Sequence, residues 1–205
     1  MSDTTSPLDP RIKRTLHVIR DAFLALVDEK GFDQMTIRDI TERAEINRAT
    51  FYLHYRDKYD LQGRLVDSML REFAAAFELP PAFGADDFIK DTDTPPASFI
   101  RQFEHIAAHA HFYKVMLGPR GVPGFSGRME RIIRDSLARR SRIAQPHEDQ
   151  AVMPRELVVR YVTSAHLGVV THWLEEDMPY TAVYMATQLI RLHALGATRI
   201  LKGGT

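Results

Sequence analysis

Apolar residues recur at steps of three and four along most of this chain, and the pattern stops and restarts at definable points. Ile12, Leu16, Ile19, Phe23, Leu26 and Val27 make one face of an amphipathic helix. Lys30-Gly31-Phe32 ends it, since glycine suits the left-handed position past a helix and Phe32 can pack back on the last turn. Thr36-Ile37-Arg38-Asp39 reads as a capping box, with a hydroxyl at the N-cap and a carboxylate three residues on. Ile37, Ile40 and Ala44 give the short helix behind it an apolar side. Asn47 opens a third helix, ending near Leu53. Asp57 caps a fourth, which reaches about Phe77 along Leu61, Leu65, Met69 and Phe73.

Residues 1–9 lack any such pattern and predict a disordered arm. Pro80-Pro81, Gly84 and the polar run DTDTPP at 91–96 interrupt the helices and predict a loose connection. Periodicity returns at Phe99, Phe103, Ile106 and Ala110, then breaks at Gly118-Pro119. Gly121, Pro123 and Gly124 extend that loop, and a basic helix follows from about Met129 to Arg142. Pro154 suits the first position of a long helix to Glu175, carrying Leu157, Val158, Tyr161, Val162, Ala165, Val169 and Trp173. Pro179 can start the last, with Val183, Ala186, Leu189, Ile190, His193 and Ala197 on one side. No stretch alternates with period two for long enough to predict a strand. The expected fold is all-α, without internal repeats.

Composition removes several classes of function and adds none. The chain has 205 residues, 44% hydrophobic and 26% charged, with 27 basic and 27 acidic side chains. Net charge therefore points to no partner. The absence of cysteine excludes disulfides, thiolate metal sites and a cysteine nucleophile. The polar start MSDTTSPLDP has no apolar core of a secretory signal, and no run of apolar residues is long enough to span a bilayer. A cytoplasmic location is expected.

The two short capped helices between residues 36 and 55 are too small to make a core of their own. Two such helices at a wide angle about an apolar elbow form a helix-turn-helix, whose second helix enters the major groove of DNA. Ile40, Ala44, Ile46 and Phe51 have the spacing of that elbow. Arg48, Thr50, Tyr52 and His54 are then left outward, as hydroxyl, imidazole and guanidinium donors to phosphates and guanine edges. Lys58 follows the N-cap Asp57 directly, placing a cation at the positive end of a helix. That costs roughly 0.3–1 kcal/mol unless an anion joins it, so Lys58 is expected to clamp a phosphate.

The stretch MTIRDITERAEINRATFYLHYRDKYDL, residues 35–61, closely resembles the DNA-binding segment of the TetR/AcrR family of bacterial regulators. The matching features are the T-x-R-x-I start, the T-F-Y-x-H-Y-x-x-K run and the leucine after it. The resemblance implies a DNA-binding domain at residues 10–60 and a helical effector and dimerisation domain at 61–205. It implies groove or base contacts from Arg38, Arg48 and Thr50, and phosphate contacts from Thr36, Tyr52, His54 and Lys58, with Asn47 and Tyr55 also counted as DNA-binding. Glu45 stands where the family usually has the glycine of the turn, and Asn47 where serine is commoner. Residues 1–58 carry ten basic and ten acidic side chains, so affinity is expected to rest on a few phosphate contacts and on dimerisation.

The last two helices are apolar on more than one side and carry the small residues Ala165, Gly168, Ala186, Ala194 and Ala197. They are expected to pair two copies in a four-helix interface, whose two-fold symmetry matches a palindromic operator. FYKVMLG (112–118) and HWLEEDMPY (172–180) loosely resemble the C-terminal domain of the dihydroxyacetone-kinase-regulator branch. Phe99, Phe103, Phe112, Tyr113, Met116, Tyr161, His166 and Trp173 are the candidate lining of an effector pocket, although residues of these types at helical spacing also suit a plain core.

His105-x-x-x-His109-x-His111 places two imidazoles on one helical face, but no glutamate follows in the H-E-x-x-H manner and His111 points elsewhere. No metal and no cofactor are expected. The arginines from Arg120 to Arg142 are read as a solvated basic stretch. The leading reading is a homodimeric repressor released by an unknown small molecule, and not an enzyme. A transcriptional activator is the alternative, and a histidine-metal hydrolase the remote one.

Overall fold

The computed structural model describes residues 9–78, 93–144 and 153–195. The arm at 1–8, the Pro80-Pro81 and Gly84 breaks and Ala197 lie outside them. Among the described residues the chain forms nine helices and no strand: α1 (Pro10–Lys30), α2 (Ile37–Arg43), α3 (Arg48–His54), α4 (Lys58–Ala76), α5 (Ala97–Ala108), α6 (Ala110–Leu117), α7 (Phe125–Ala144), α8 (Arg155–Glu175) and α9 (Ala182–Leu195). None is long and apolar enough to cross a membrane. The all-α expectation holds.

The helices divide into two compact units. The first runs through Ser68 and includes the loop Gly118–Pro123. Its core is the predicted faces meeting: Ile19, Phe23, Leu26 and Val27 of α1, Ile40 of α2, Phe51 of α3 and Leu61 of α4 are all buried. Asp9 caps α1, accepting from the Arg11 N–H at 2.8 Å. Arg120, expected in a solvated basic stretch, instead donates to the carbonyls of Asp28 and Glu29 at 2.6 and 3.2 Å, near the C-terminus of α1. A cation there meets the unpaired carbonyls and the negative end of the helix dipole.

The second unit holds Met69–Leu117 and the chain from Gly124 onward. In it α7 packs on α8, α5 on α9, and α6 on both α7 and α8. Three boundaries differ from the sequence expectation, the simplest being that α7 starts at Phe125 and not near Met129. The helix expected from Phe99 towards Gly118 breaks at His109, whose φ and ψ of −120° and 28° end α5. No glycine or proline marks the place. The last helix begins three residues after Pro179, because Thr181 acts as its cap, with its Oγ1 accepting from the Tyr184 N–H at 3.2 Å.

Candidate nucleic-acid interface and buried polar core

The turn between α2 and α3 is set by a reciprocal cap at one end and a left-handed residue at the other. Thr36 Oγ1 accepts from the Asp39 N–H, and Asp39 Oδ2 accepts from the Thr36 N–H at 2.7 Å. Lys30 reaches the same carboxylate at 2.8 Å. This lysine and the Thr36 bonds hold the Asp39 carboxyl down at about 2. At the far end the Ile46 N–H donates to Thr41 O and the Glu45 N–H to Glu42 O, at 3.0 and 3.2 Å. This is the Schellman pair of bonds, and it forces Glu45 to φ 54°.

The α3 helix starts with Asn47, whose Oδ1 accepts from the Ala49 N–H at 2.9 Å. Phe51 is fully buried, and its ring meets Tyr55 at 5.7 Å between centroids. The opposite side of the helix is open. Arg48 is exposed, with its guanidinium 3.4 Å from the Tyr52 hydroxyl. Tyr52 is half exposed and Leu53 is 80% exposed. Thr50 and His54 flank them, partly exposed. Arg38 on α2 is also exposed and forms an ion pair with Glu42 at 2.6 Å. Both side chains are open to solvent, which screens the pair, so a phosphate can take the arginine from it.

Three residues expected at this surface have other work. Lys58 does not present a free ammonium: Nζ donates to the carbonyls of Phe32, Asp33 and Met35 at 3.1, 3.0 and 2.9 Å, and lies over the Phe32 ring. All three N–H bonds are thereby used, and the carbonyl dipoles supply the negative potential that a cation at a helix start requires. The phosphate-clamp expectation is corrected: Lys58 fastens the α1–α2 turn to the first residue of α4. Tyr55 is likewise corrected, since the residue is only 7% exposed and belongs to the core. Burial also pushes its hydroxyl pKa up. Thr36 gives its single hydroxyl proton to Asp39 at 2.8 Å, so it is a cap and not a phosphate donor. Leu53 is the exposed residue that the sequence reading passed over. It falls one position after Tyr52, outside the polar pattern that drew attention to its neighbours.

The expected pocket residues separate into two groups. Phe99 and Phe103 lie within 6.3 Å of the His166 ring, and Trp173 meets Phe103 at 5.3 Å. Phe112, Tyr113 and Met116 are buried elsewhere, with Phe112 and Tyr113 packed on Phe125. Tyr161 is 68% exposed and lines no interior pocket. Its place on α8 falls on an outward face, a correction to the expected lining.

The first group packs around His166, and the pocket reading omitted the polar residues Gln102, Thr163 and His193. Gln102 on α5 and Thr163 and His166 on α8 are buried, with Gln102 Nε2 2.6 Å from Nε2 of His166. His193 on α9 lies 6.1 Å from His166, ring to ring, and burial pushes its pKa down to about 4. Gln102 Oε1, Thr163 Oγ1 and His193 Nε2 are buried without a hydrogen-bond partner. Each such atom costs about 1–3 kcal/mol if nothing binds it. The signal was present: Gln102 and His193 interrupt otherwise apolar helix faces.

Comparison with known proteins bears on both units. Residues 19–65 match the family model described as bacterial regulatory proteins, tetR family. Residues 93–194 match one described as a transcriptional regulator C-terminal region. The uncharacterized HTH-type transcriptional regulator YxbF of Bacillus subtilis is 24% identical over 164 residues, covering 78% of this chain. The chain spans 39% of the length of that curated relative. The fatty acid degradation regulator FadR from Bacillus halodurans is 17% identical with a TM-score of 0.60, over 94% of this chain and 98% of that one. The dihydroxyacetone kinase operon activator DhaS is 16% identical with a TM-score of 0.55, over 87% of this chain and 93% of that one. At these identities the two structures share the fold.

Proposed function

The chain belongs to the tetR family of bacterial transcriptional regulators, and from that premise we propose that it is a homodimeric, cytoplasmic repressor released from a palindromic operator by a small molecule. Members of this family are DNA-binding regulators and not enzymes, which removes the hydrolase alternative. The observation that carries the DNA reading is the open face of α3. Arg48, Tyr52 and Leu53 stand exposed on a seven-residue helix whose other side holds the core. Arg48 is positioned for a guanine edge, Leu53 for a thymine methyl, and Thr50, Tyr52 and His54 for phosphates. Arg38, once drawn off Glu42, and the amide N–H groups of Asn47 add to these. The reader spans residues 10–60, and 61–205 pairs the subunits and takes the effector.

Pairing through α8 and α9 is supported by what they leave uncovered. Leu157, Val158 and Tyr161 on α8 and Val183 and Tyr184 on α9 are all exposed apolar or aromatic residues. Ser164, Ala165 and Gly168 continue the α8 stripe, and beyond α8's own backbone nothing lies within 4 Å of where a Gly168 side chain would begin. Ala186 is instead fully buried inside the subunit. A stripe of this kind suits a self-complementary two-fold contact. Tyr161→Arg tests it: the variant is expected to elute as a monomer with its helical content intact.

The effector reading rests on the buried, unpartnered polar atoms of Gln102, Thr163 and His193. A molecule with an apolar body for Phe99, Phe103 and Trp173, and a head group that both donates and accepts, would satisfy the three unpaired atoms. Its binding would release DNA by favouring a spacing of the two recognition helices that no longer fits successive grooves. Only a difference in affinity for the two spacings can do this. DhaS carries the name of an activator, so activation is the second reading. Selection of sheared genomic DNA on the purified protein, with Tyr52→Ala as control, is the test of the main reading. A palindrome enriched by the wild type alone supports it, and equal recovery by both overturns it. A reporter driven by that site then separates repression from activation.

A further inference from the structure

Glu72 on α4 and His105 and His109 at the end of α5 bring three ligand atoms within 4.8 Å of one another. From this geometry we propose a binding site for a divalent transition metal of borderline softness, Zn²⁺ or its neighbours Co²⁺ and Ni²⁺, which ties α4 to α5. The sequence suggested the two imidazoles but offered only His111 as a third ligand. In the structure His111 is exposed, and a carboxylate from another helix takes its place.

Two imidazoles and one carboxylate are the donor set of many open zinc centres, with a fourth position left to water or an added ligand. Bonds of about 2.0–2.2 Å in a tetrahedron place donor atoms about 3.3 Å apart. His109 Nε2 and Glu72 Oε2 already stand at 3.8 Å. The remaining closure is about 1.5 Å at most, within reach of small side-chain rotations of the three ligands, of which Glu72 is half exposed. The break at His109 is part of the arrangement. Its amide still donates to His105 O at 3.2 Å, so the two histidines keep their one-turn spacing, with rings 4.8 Å apart. His105 also has the outer partner that ligating histidines need: the buried Tyr113 hydroxyl lies 2.9 Å from its Nε2 and orients the ring. The exposure of Glu72 and His109 leaves an entry path.

The test is titration of the tag-free, chelator-treated full chain with Zn²⁺ by calorimetry and with Co²⁺ by its visible ligand-field spectrum. One ion per chain is expected, with a four-coordinate cobalt spectrum and a raised thermal midpoint. His109→Gln and Glu72→Gln should each weaken binding at least tenfold, while His111→Gln leaves it unchanged. Absence of saturable binding overturns the proposal, as does undiminished affinity in Glu72→Gln. Equal losses in His111→Gln do the same, by pointing to dispersed surface histidines. Should His109→Gln disturb the metal-free fold, Glu72→Gln decides alone, because that side chain lies at the surface.

Discussion

Replacing Glu45 by glycine should make the protein more stable, although it deletes a charged side chain and adds no contact. Glu45 sits at φ 54° because the Ile46 and Glu45 amides must turn back to Thr41 and Glu42. An L-residue there pays about 1–2 kcal/mol for the approach of its Cβ to the following carbonyl. Glycine escapes that strain but loses more freedom on folding, which takes back about 0.5–1 kcal/mol. The net gain is about 0.5–1 kcal/mol, or a rise of about 1–4 °C in Tm for a chain of this size. Glu45→Ala is the necessary comparison, since it removes the carboxylate and keeps the Cβ. Urea and thermal unfolding of the three proteins should rank glycine above alanine, with alanine close to the wild type. If alanine gains as much as glycine, the carboxylate and not the backbone is the source, and the argument fails. Both variants should bind DNA slightly more tightly at low salt, having lost an anion beside the phosphates.

Lys58→Met should destabilise the protein by about 1–2 kcal/mol, through three carbonyls left without a charged donor, while the salt dependence of DNA binding stays the same. A phosphate clamp would instead lower the slope of log K against log salt by about 0.9. Arg48→Ala should weaken specific binding by about 1–3 kcal/mol, five- to 150-fold, and relax preference at one position of each half-site in a binding selection. For His193 the folded pKa of about 4 lies below the ordinary 6.5, so the unfolded chain binds the extra proton between these values. Stability should therefore fall as pH drops from 6.5 to 4, by up to roughly 3 kcal/mol. In His193→Leu the acid limb should be shallower by about that amount, and an unchanged limb would refute the burial argument.

The helices of the first unit were legible because local signals coincide with tertiary demand there. The Thr36–Asp39 box, the Asn47 cap and the Asp57 cap, whose Oδ1 accepts from the Asp60 N–H at 2.7 Å, are short-range chemistry that sequence spacing states directly. Lys58 shows where such reasoning stops. Its conflict with the helix dipole was visible, but the carbonyls that resolve it belong to residues 23 to 26 positions earlier. No local rule reports such a partner, and an anion was the nearest one that local rules could supply. The same limit hid Glu72, which meets His109 only across two helices, and Arg120, whose carbonyl partners lie in α1. Tyr55 failed differently: the resemblance placed it at the DNA, yet its ring fills the space beside Phe51.

The correction at Lys58 changes how the reader can respond to an effector. A lysine that only met phosphate would leave α4 and the turn before α2 free to move apart. With Nζ bound to three carbonyls between Phe32 and Met35, the first residue of α4 and that turn are fastened together. Phe51 and Leu61, fully buried in the same core, do the same for α3 and α4. Close-packed interiors shift between discrete arrangements and do not stretch continuously. A small displacement of the start of α4 should therefore carry α2 and α3 with it as one body. That favours release of DNA by respacing two intact readers over release by melting one. Hydrogen exchange distinguishes the two: amides of Ile40, Phe51 and Leu61 should stay as protected with effector as without it, while affinity for DNA falls.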